Sequence, residues 1–384
     1  MPQRAIMWLA QPRNPNAPLA GLKVLELARV LAGPWAGQVL ADLGADVIKV
    51  EGPEGDGTRQ WGPPWVETGG ERAAAYYHST NRGKRGIVAD FKDARDLAQV
   101  KSLAAEADVV IENFKTGALA KFGLDHATLS AVNAGLVYCS ITGFGQTGPR
   151  AGEAGYDFVI QAMSGFMSLT GEPGGQPMKM GISASDLACG LYSVIGIQAA
   201  LAMRARTGRG QHVDMSLFDC SVGLLASQAT HFLVTGRNPP RMGNGHAQVS
   251  AYGVFPTSDG KVVLAPANDG LFRKLLGVLS RDDLLAEPRF ATNEARLANR
   301  DELDAIIAAE TGKQTTAALL ASCSAAGIPA GPINAIDQVF ADPQVRSRGM
   351  RIDLASVPGV RSPFTFSDAE LALDRPSPRH GQHG

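Results

Sequence analysis

The chain has 384 residues, 45% hydrophobic and 19% charged, an ordinary globular composition long enough for two domains or one large one. Lys plus Arg total 36 and Asp plus Glu 37, a net charge of -1, so no bulk electrostatic pull toward nucleic acid or an anionic membrane follows. Four cysteines, Cys139, Cys189, Cys220 and Cys323, stand far apart with no C-x-x-C. That spacing argues against a disulfide framework or a zinc site, and for a reducing cytoplasm.

Residues 1–18 read as a loose N-terminal extension. Their apolar patch is broken by Gln and Pro and is too short for a signal h-region, and Met7 offers an alternative start. From Leu22 the pattern sharpens. LKVLELA is a buried strand, AGPWAGQVLADLGA a helix with a Gly stop, and DVIKVE a second strand, which together make a βαβ unit and imply a parallel sheet. GIVADF, DARDLAQVKSLAAEA, DVVIENF and GLVYCSITGF continue as strand, helix, strand, strand. Residues 19–150 are a doubly wound α/β layer, and ligands of such sheets bind at the carboxyl ends of the strands. Two long helical patterns follow, 187–206 and 214–235, separated by TGRGQHVD. The apolar run at 187–203 is interrupted by small and polar residues and ends in RARTGRG, which suits a buried helix better than a membrane span. GRNPPRMGNGH is a loop, AYGVFPTSDGKVVLAP a hairpin turning at Ser-Asp-Gly, and 269–325 mostly helical. The expected organisation is a large α/β domain at 19–225, a smaller α+β domain at 226–325, and a return to the large domain at 326–384 with a Pro-rich tail.

Several motifs invite chemistry. GFGQTG, Gly143–Gly148, matches G-x-G-x-x-G after a strand. However, Pro149 follows instead of a helix, and the acidic residue due about twenty positions later is missing, so a nicotinamide site is disfavoured. GISAS at 181–185 falls short of the serine-hydrolase elbow because Ser185 stands where that elbow needs glycine. A Walker A loop is absent. His231 and His246 are too far apart for a helical zinc pair, and HGQH lies in a tail expected to be mobile, so no metal site is expected. ENFKTG, Glu112–Gly117, either cradles a phosphate or ribose on its backbone N–H groups or is a turn with a satisfied Asn. NRGKRGIVADFK sets Arg82, Lys84, Arg85 and Lys92 around a strand, either as a solvated basic edge or as a site for a multiply charged nucleotide. Asp186 stands alone in MGISASDLACGLY, where Asp186 or Ser185 caps the following helix or Asp186 acts as a nucleophile.

These segments occur together, in order, in one family. PLAGLKVLELARVLAGPWAGQVLADLGADVIKVEGPEGDGTR, NRGKRGIVADFK, ADVVIENFKTG, SITGFGQTGP, GYDFVIQAMSG, SDLACGLYSVIGIQAALAMRARTGRGQHVDMSLFD and AGIPAGPIN strongly resemble the class III coenzyme A transferases, the CaiB/BaiF family, from about Leu19 to Met350. The resemblance implies a Rossmann-like large domain holding both ends of the chain, a smaller domain, and an interlocked homodimer. It implies coenzyme A as a substrate, with no permanently bound cofactor. It matches Asp186 to the family's catalytic aspartate, which attacks an acyl-CoA to give an aspartyl anhydride and then an aspartyl-CoA thioester. By position it implies coenzyme A contacts at Val30, Leu31 and Ala32, at Ala89, Asp90, Phe91 and Lys92, at Asn113, Phe114, Lys115 and Lys121, and at Ile141, Thr142, Gly143 and Phe144. Gly52 stands where the family often has Arg, so one phosphate contact is lost or supplied elsewhere.

The family's second-domain lid often carries a glycine run, whereas here RMGNGHAQ has only Gly243 and Gly245. Arg241, Asn244 and His246 of that loop are candidates for an acceptor carboxylate, Arg being suited to bidentate binding. Similar members suggest succinyl-CoA as donor and a small dicarboxylate as acceptor. The family also contains α-methylacyl-CoA racemases, whose histidine is replaced here by Tyr156, a poor base at neutral pH. A non-catalytic coenzyme A binder is the third reading, against which Asp186 stands.

Overall fold

The structure is a computed structural model and describes residues 6–384. The expectations placed on residues 1–5 lie outside the described residues. The chain forms two compact units. One comprises residues up to Met167, Lys179–Arg237 and Pro343–Gly384, the other Ser168–Met178 and Asn238–Asp342.

The first unit is built on six parallel strands: β1 (Lys23–Glu26), β2 (Asp46–Glu51), β3 (Arg85–Val88), β4 (Val109–Glu112), β5 (Val137–Thr142) and β6 (His212–Ser216). Their spatial order is β3-β2-β1-β4-β5-β6, with every neighbouring pair parallel. That is the order of a doubly wound nucleotide-binding sheet, whose connections reverse direction between β1 and β4 and leave a crevice there. Helices cover the sheet: α1 (Ala32–Asp42), α2 (Ala75–Thr80), α3 (Ala94–Glu106), α4 (Asp157–Met163), α5 (Ala184–Thr207), α6 (Leu217–Leu224) and α7 (Ser227–Thr235). A sheet buried on both faces needs apolar side chains on both, which is why the strands read as near-continuous apolar runs. On one face Val24, Val47, Val109 and Cys139 pack with Ala36, Val39 and Leu40 of α1 and with Cys189, Val194 and Ile197 of α5. On the other Leu25, Ile48, Ile87 and Val110 pack with Val100, Leu103 and Ala104 of α3.

The helix α5 is long and apolar enough to cross a membrane by length and composition. Its Cys189, Val194, Ile197 and Ala200 are nevertheless core residues of the first unit. The expected pair of long helices is interrupted twice. TGRGQHVD contains not only a turn but the start of β6, and the second helix breaks into α6 and α7, bent by 77°, where Ala226 turns to φ 44°.

The described start of the chain and its tail are both tied down on this unit. The extension is not loose after Ile6. The Trp8 indole donates to Leu103 O at 3.3 Å, and the Arg13 guanidinium donates to the carbonyls of Gly83, Ala41 and Ala372. The tail is not mobile either. Ser362 Oγ donates to Asp42 at 2.6 Å, Arg59 and Tyr77 both donate to Pro378 O at 3.1 Å, and the His383 N–H donates to Gly86 O at 2.9 Å.

The second unit has an antiparallel sheet of β7 (Gly253–Thr257), β8 (Gly260–Leu264) and β9 (Ala330–Pro332), with β8 central. Its longer helices are α8 (Asp269–Val278), α9 (Arg300–Thr311) and α10 (Thr316–Ala326). Phe255, Val262, Leu264, Phe272, Leu275, Leu303, Ile307 and Leu319 form its core.

Candidate active site

The carboxyl ends of β1, β4 and β5 open into a cleft of about 420 Å³. The loop after β1 contributes Val30, Leu31 and Ala32, the loop after β4 Asn113, Phe114 and Lys115, and the end of β5 Ile141, Thr142 and Gly143. The side chain of Asn113 joins two of these loops. Its Oδ1 accepts the Arg29 N–H at 2.8 Å and its Nδ2 donates to Arg29 O at 2.6 Å. Asn113 is therefore satisfied, in agreement with the turn reading, and it fixes the cleft while doing so. The Arg29 guanidinium lies over the Phe114 ring, 5.1 Å from its centroid.

Gly143 has a different reason from the one a dinucleotide loop would give it. A Cβ there would lie 2.6 Å from Gly155 Cα, so the two backbones touch and no side chain fits between them. After Gly148 the chain does not open a helix until Asp157. No phosphate-facing helix N-terminus follows the GFGQTG loop.

Asp186 lines the same cleft, as does Tyr156. It is the third residue of α5, and neither it nor Ser185 caps that helix: Ser183 occupies the N-cap with no side-chain bond. The capping carboxylate comes from a separate helix. Asp157, at the start of α4, accepts the N–H of Ser185 at 2.9 Å and of Asp186 at 3.4 Å through Oδ1, while its Oδ2 accepts from Gln161 at 2.7 Å. Two of the orphan donors of the first turn are thus met by Asp157, which leaves the Asp186 carboxylate free of that duty. Burial, and then the neighbouring charge of Asp157, push the Asp186 carboxyl up to about 7. The Tyr76 hydroxyl is half-buried near Asp186 and Asp157. Burial and then the Asp186 charge raise its pKa. Neither Asp157 nor Tyr76 stood out in sequence. Asp157 sits in the GYD triplet, and its acidic residue is the one signal that pointed to it.

The other expected contacts fall elsewhere. Phe144 packs on Phe218 with ring centroids 5.8 Å apart. Ala89 is buried and Lys92 exposed, Asp90 accepts the Lys92 N–H at 2.9 Å, and Phe91 stacks toward Phe114 at 6.2 Å. Lys121 is exposed, its ammonium over the Phe122 ring at 4.9 Å. None of these is in the cleft's lining. The basic segment divides: Arg82, Lys84 and Arg85 are buried in ion pairs with Asp42, Glu26 and Asp46, so it is not a solvated edge. Arg241, Gly243, Asn244, Gly245 and His246 belong to the second unit. There Arg241 Nη2 donates to Gly175 O at 2.6 Å, Gly243 N–H donates to Gly171 O, and Arg300 holds His246 O at 2.6 Å. Among the described residues no cluster of His, Cys, Asp and Glu is arranged to hold a metal ion.

Residues 19–384 match the model of CoA-transferase family III. The chain belongs to CoA-transferase family III. The succinate–glutarate CoA-transferase of Agrobacterium fabrum is 54% identical to it, the match covering 96% of this chain and 94% of that one. The succinyl-CoA:glutarate CoA-transferase of Mus musculus is 39% identical, covering 98% and 88%. A crystal structure of a CaiB/BaiF family protein from Brucella suis, 57% identical, superposes with a TM-score of 0.89 over 96% of this chain and 98% of that chain. This family III member is therefore an enzyme of coenzyme A transfer that uses an acyl-CoA as a substrate.

Proposed function

We propose that the enzyme moves coenzyme A from succinyl-CoA to a small dicarboxylic acid, with Asp186 as the nucleophile. The observation that carries this reading is the carboxylate of Asp186 in the wall of the cleft, relieved of capping by Asp157 and raised to about 7. A carboxylate is a weak nucleophile toward a thioester in water, and partial desolvation with a raised pKa makes it a stronger one. Asp186 attacks the thioester carbon and the CoA thiolate leaves, giving an aspartyl succinyl anhydride. The thiolate attacks the aspartyl carbonyl and releases succinate, giving an aspartyl-CoA thioester. The acceptor carboxylate attacks that thioester and expels the CoA thiolate, giving an aspartyl–acceptor anhydride; the thiolate then attacks the acceptor's acyl carbon, forming the acceptor's CoA thioester and releasing the Asp186 carboxylate. Each step exchanges one acyl bond for another. The names of the two dicarboxylate transferases above support the donor and acceptor class.

In this reading the first unit is the coenzyme A domain. Arg29 and Lys115 in the cleft, and Lys121 outside its lining, supply cations for the phosphates, and Val30–Ala32 and Ile141–Gly143 flank the pantetheine arm. The Arg241–His246 loop governs acceptor choice. An interlocked homodimer fits the apolar residues left exposed on the single chain, among them Leu233 at 79% and Val234 at 78% of α7. Light scattering would give twice the 40.3 kDa of one chain. Four unpaired cysteines suit a reducing compartment such as the cytoplasm.

Intact-protein mass spectrometry after mixing with succinyl-CoA, followed by hydroxylamine trapping, tests the covalent route. A trapped hydroxamate on residue 186, absent from Asp186→Ala, is the expected result. A wild-type enzyme that turns over without any adduct refutes it.

A further inference from the structure

The loop between β1 and α1 holds the strained residue of the cleft. Val30 has φ 71°. For a β-branched side chain this left-handed conformation is a genuine outlier, kept only where the surroundings over-determine it. What over-determines it lies behind the loop, out of the cleft. Glu26, Lys49, Asp56 and Lys84 are buried together, each side chain at 0% exposure. Lys49 pairs with Glu26 at 3.2 Å and Asp56 at 3.1 Å, and Lys84 with Glu26 at 2.7 Å. Two carboxylates and two ammonium groups balance.

Three of the four, Lys49, Lys84 and Asp56, also hold backbone atoms in and beside that loop. Lys49 Nζ donates to Ala28 O at 2.8 Å, two residues before Val30, and Lys84 Nζ to Pro34 O at 2.8 Å, in the first turn of α1 that follows the loop. Asp56 Oδ2 accepts the Val30 N–H at 3.3 Å in the middle. Asp56 is itself locked, taking the Thr58 N–H at 3.0 Å and the Thr58 hydroxyl at 2.8 Å. Burial pushes its carboxyl up, but the Lys49 charge and the Thr58 donors outweigh that, so the group stays below its ordinary value and remains an anion. A purely structural core at this point would be better served by apolar side chains of the same volume. Here the ions meet loop atoms rather than only one another.

We infer that Asp56 is a positioning residue for the coenzyme A loop: through the Val30 N–H it holds Val30 left-handed and so sets Leu31 and Ala32 against the cleft. This rests on the reading of that cleft as the coenzyme A site. Asp56 touches neither substrate nor reacting atoms. The alternative is that it only caps the short turn Gly57–Gln60, whose N-cap it is.

A double-mutant cycle on the full chain separates the two roles, with the Kd for coenzyme A read by calorimetry and thermal stability read in parallel. Glycine takes a positive φ without strain. Asp56→Ala is therefore expected to weaken coenzyme A binding by about tenfold or more in the Val30 background, and by less than about threefold when combined with Val30→Gly. Asp56→Asn keeps an acceptor for the Val30 N–H and is expected to bind within about threefold of wild type. It also serves as the variant if Asp56→Ala does not fold. In that case an Asp56→Asn loss of about tenfold that Val30→Gly does not relieve counts against the inference. A cap alone would lower stability in both backgrounds and change Kd by the same factor in each. Equal factors overturn the inference while the coenzyme A site stands. A wild-type chain that binds no coenzyme A overturns the site itself.

Discussion

Titration of Asp186 tests the proposed chemistry most directly. Its carboxyl is moved from 3.8 to about 7 by burial and by Asp157. At 1.36 kcal/mol per unit this is about 4 kcal/mol against the charged form, and partial access to the cleft trims that figure. The nucleophile is the carboxylate, so the transfer rate should rise with pH, reach half its plateau at about 7, and fall to about a tenth one unit lower. Initial rates of acyl-CoA exchange, followed by chromatography of the CoA esters from pH 5.5 to 9 at fixed ionic strength, read this directly. Asp157→Asn keeps an oxygen for the Ser185 and Asp186 N–H groups but removes the like charge. Its midpoint should move to lower pH while staying above 3.8, because burial remains. Stability carries the same signature. The folded chain binds the proton more tightly than the unfolded one, so this group's contribution falls as pH rises from about 4 through 7. Asp186→Asn should accordingly melt higher than wild type at pH 8. A rate that is flat or falls with rising pH, or a midpoint indifferent to Asp157→Asn, refutes the assignment.

Gly143→Ala drives a methyl into the Gly155 backbone at 2.6 Å, and should cost about 2–3 kcal/mol of stability by denaturant titration together with a raised Kd for coenzyme A. Loss of less than about 1 kcal/mol would show that the two loops can part. Asp42→Ala strips the buried Arg82 guanidinium of its carboxylate, at 2.5 Å, and the Ser362 hydroxyl of its acceptor. A loss of about 3–5 kcal/mol is expected, because an uncompensated charge remains buried, and a thermal shift of only a degree or two would contradict it. Arg241→Ala should raise the acceptor KM for dicarboxylates with kcat less affected. An unchanged KM for every active acid would leave Arg241 only its bond to Gly175 O.

The sheet was legible because short-range pattern determines it. LKVLELA, a helix closed by Gly44, and DVIKVE are each recognisable within a dozen residues. What was not legible depends on partners far along the chain. β6 is five residues, HVDMS, whose polar positions also suit a helix start, and it becomes a strand by pairing beside β5. The break between α6 and α7 contains no proline, and Ala226 carries it. The capping rule pointed to Ser185 or Asp186, the local candidates, whereas Asp157 meets those donors from 28 residues away. The resemblance identified Asp186, and its surroundings in the cleft could come only from the fold. Lys84 and Arg85 looked like a solvated edge because sequence shows charges but not the carboxylates of Glu26 and Asp46 that meet them.

The docking of residues 362–384 on the first unit has a consequence for how the protein is made. Arg59 emerges early in synthesis, yet one acceptor of its guanidinium, Pro378 O, lies 319 residues later. At 5–20 residues per second a ribosome leaves that partner missing for roughly 16–64 seconds. Over the same interval the edge strand β3 has no His383 to take up the N–H and carbonyl of Gly86, so an unpaired sheet edge faces solvent. The nascent large unit is thus open along β3 until its last residues arrive, and this is the stage at which chaperone capacity should decide the yield of folded enzyme.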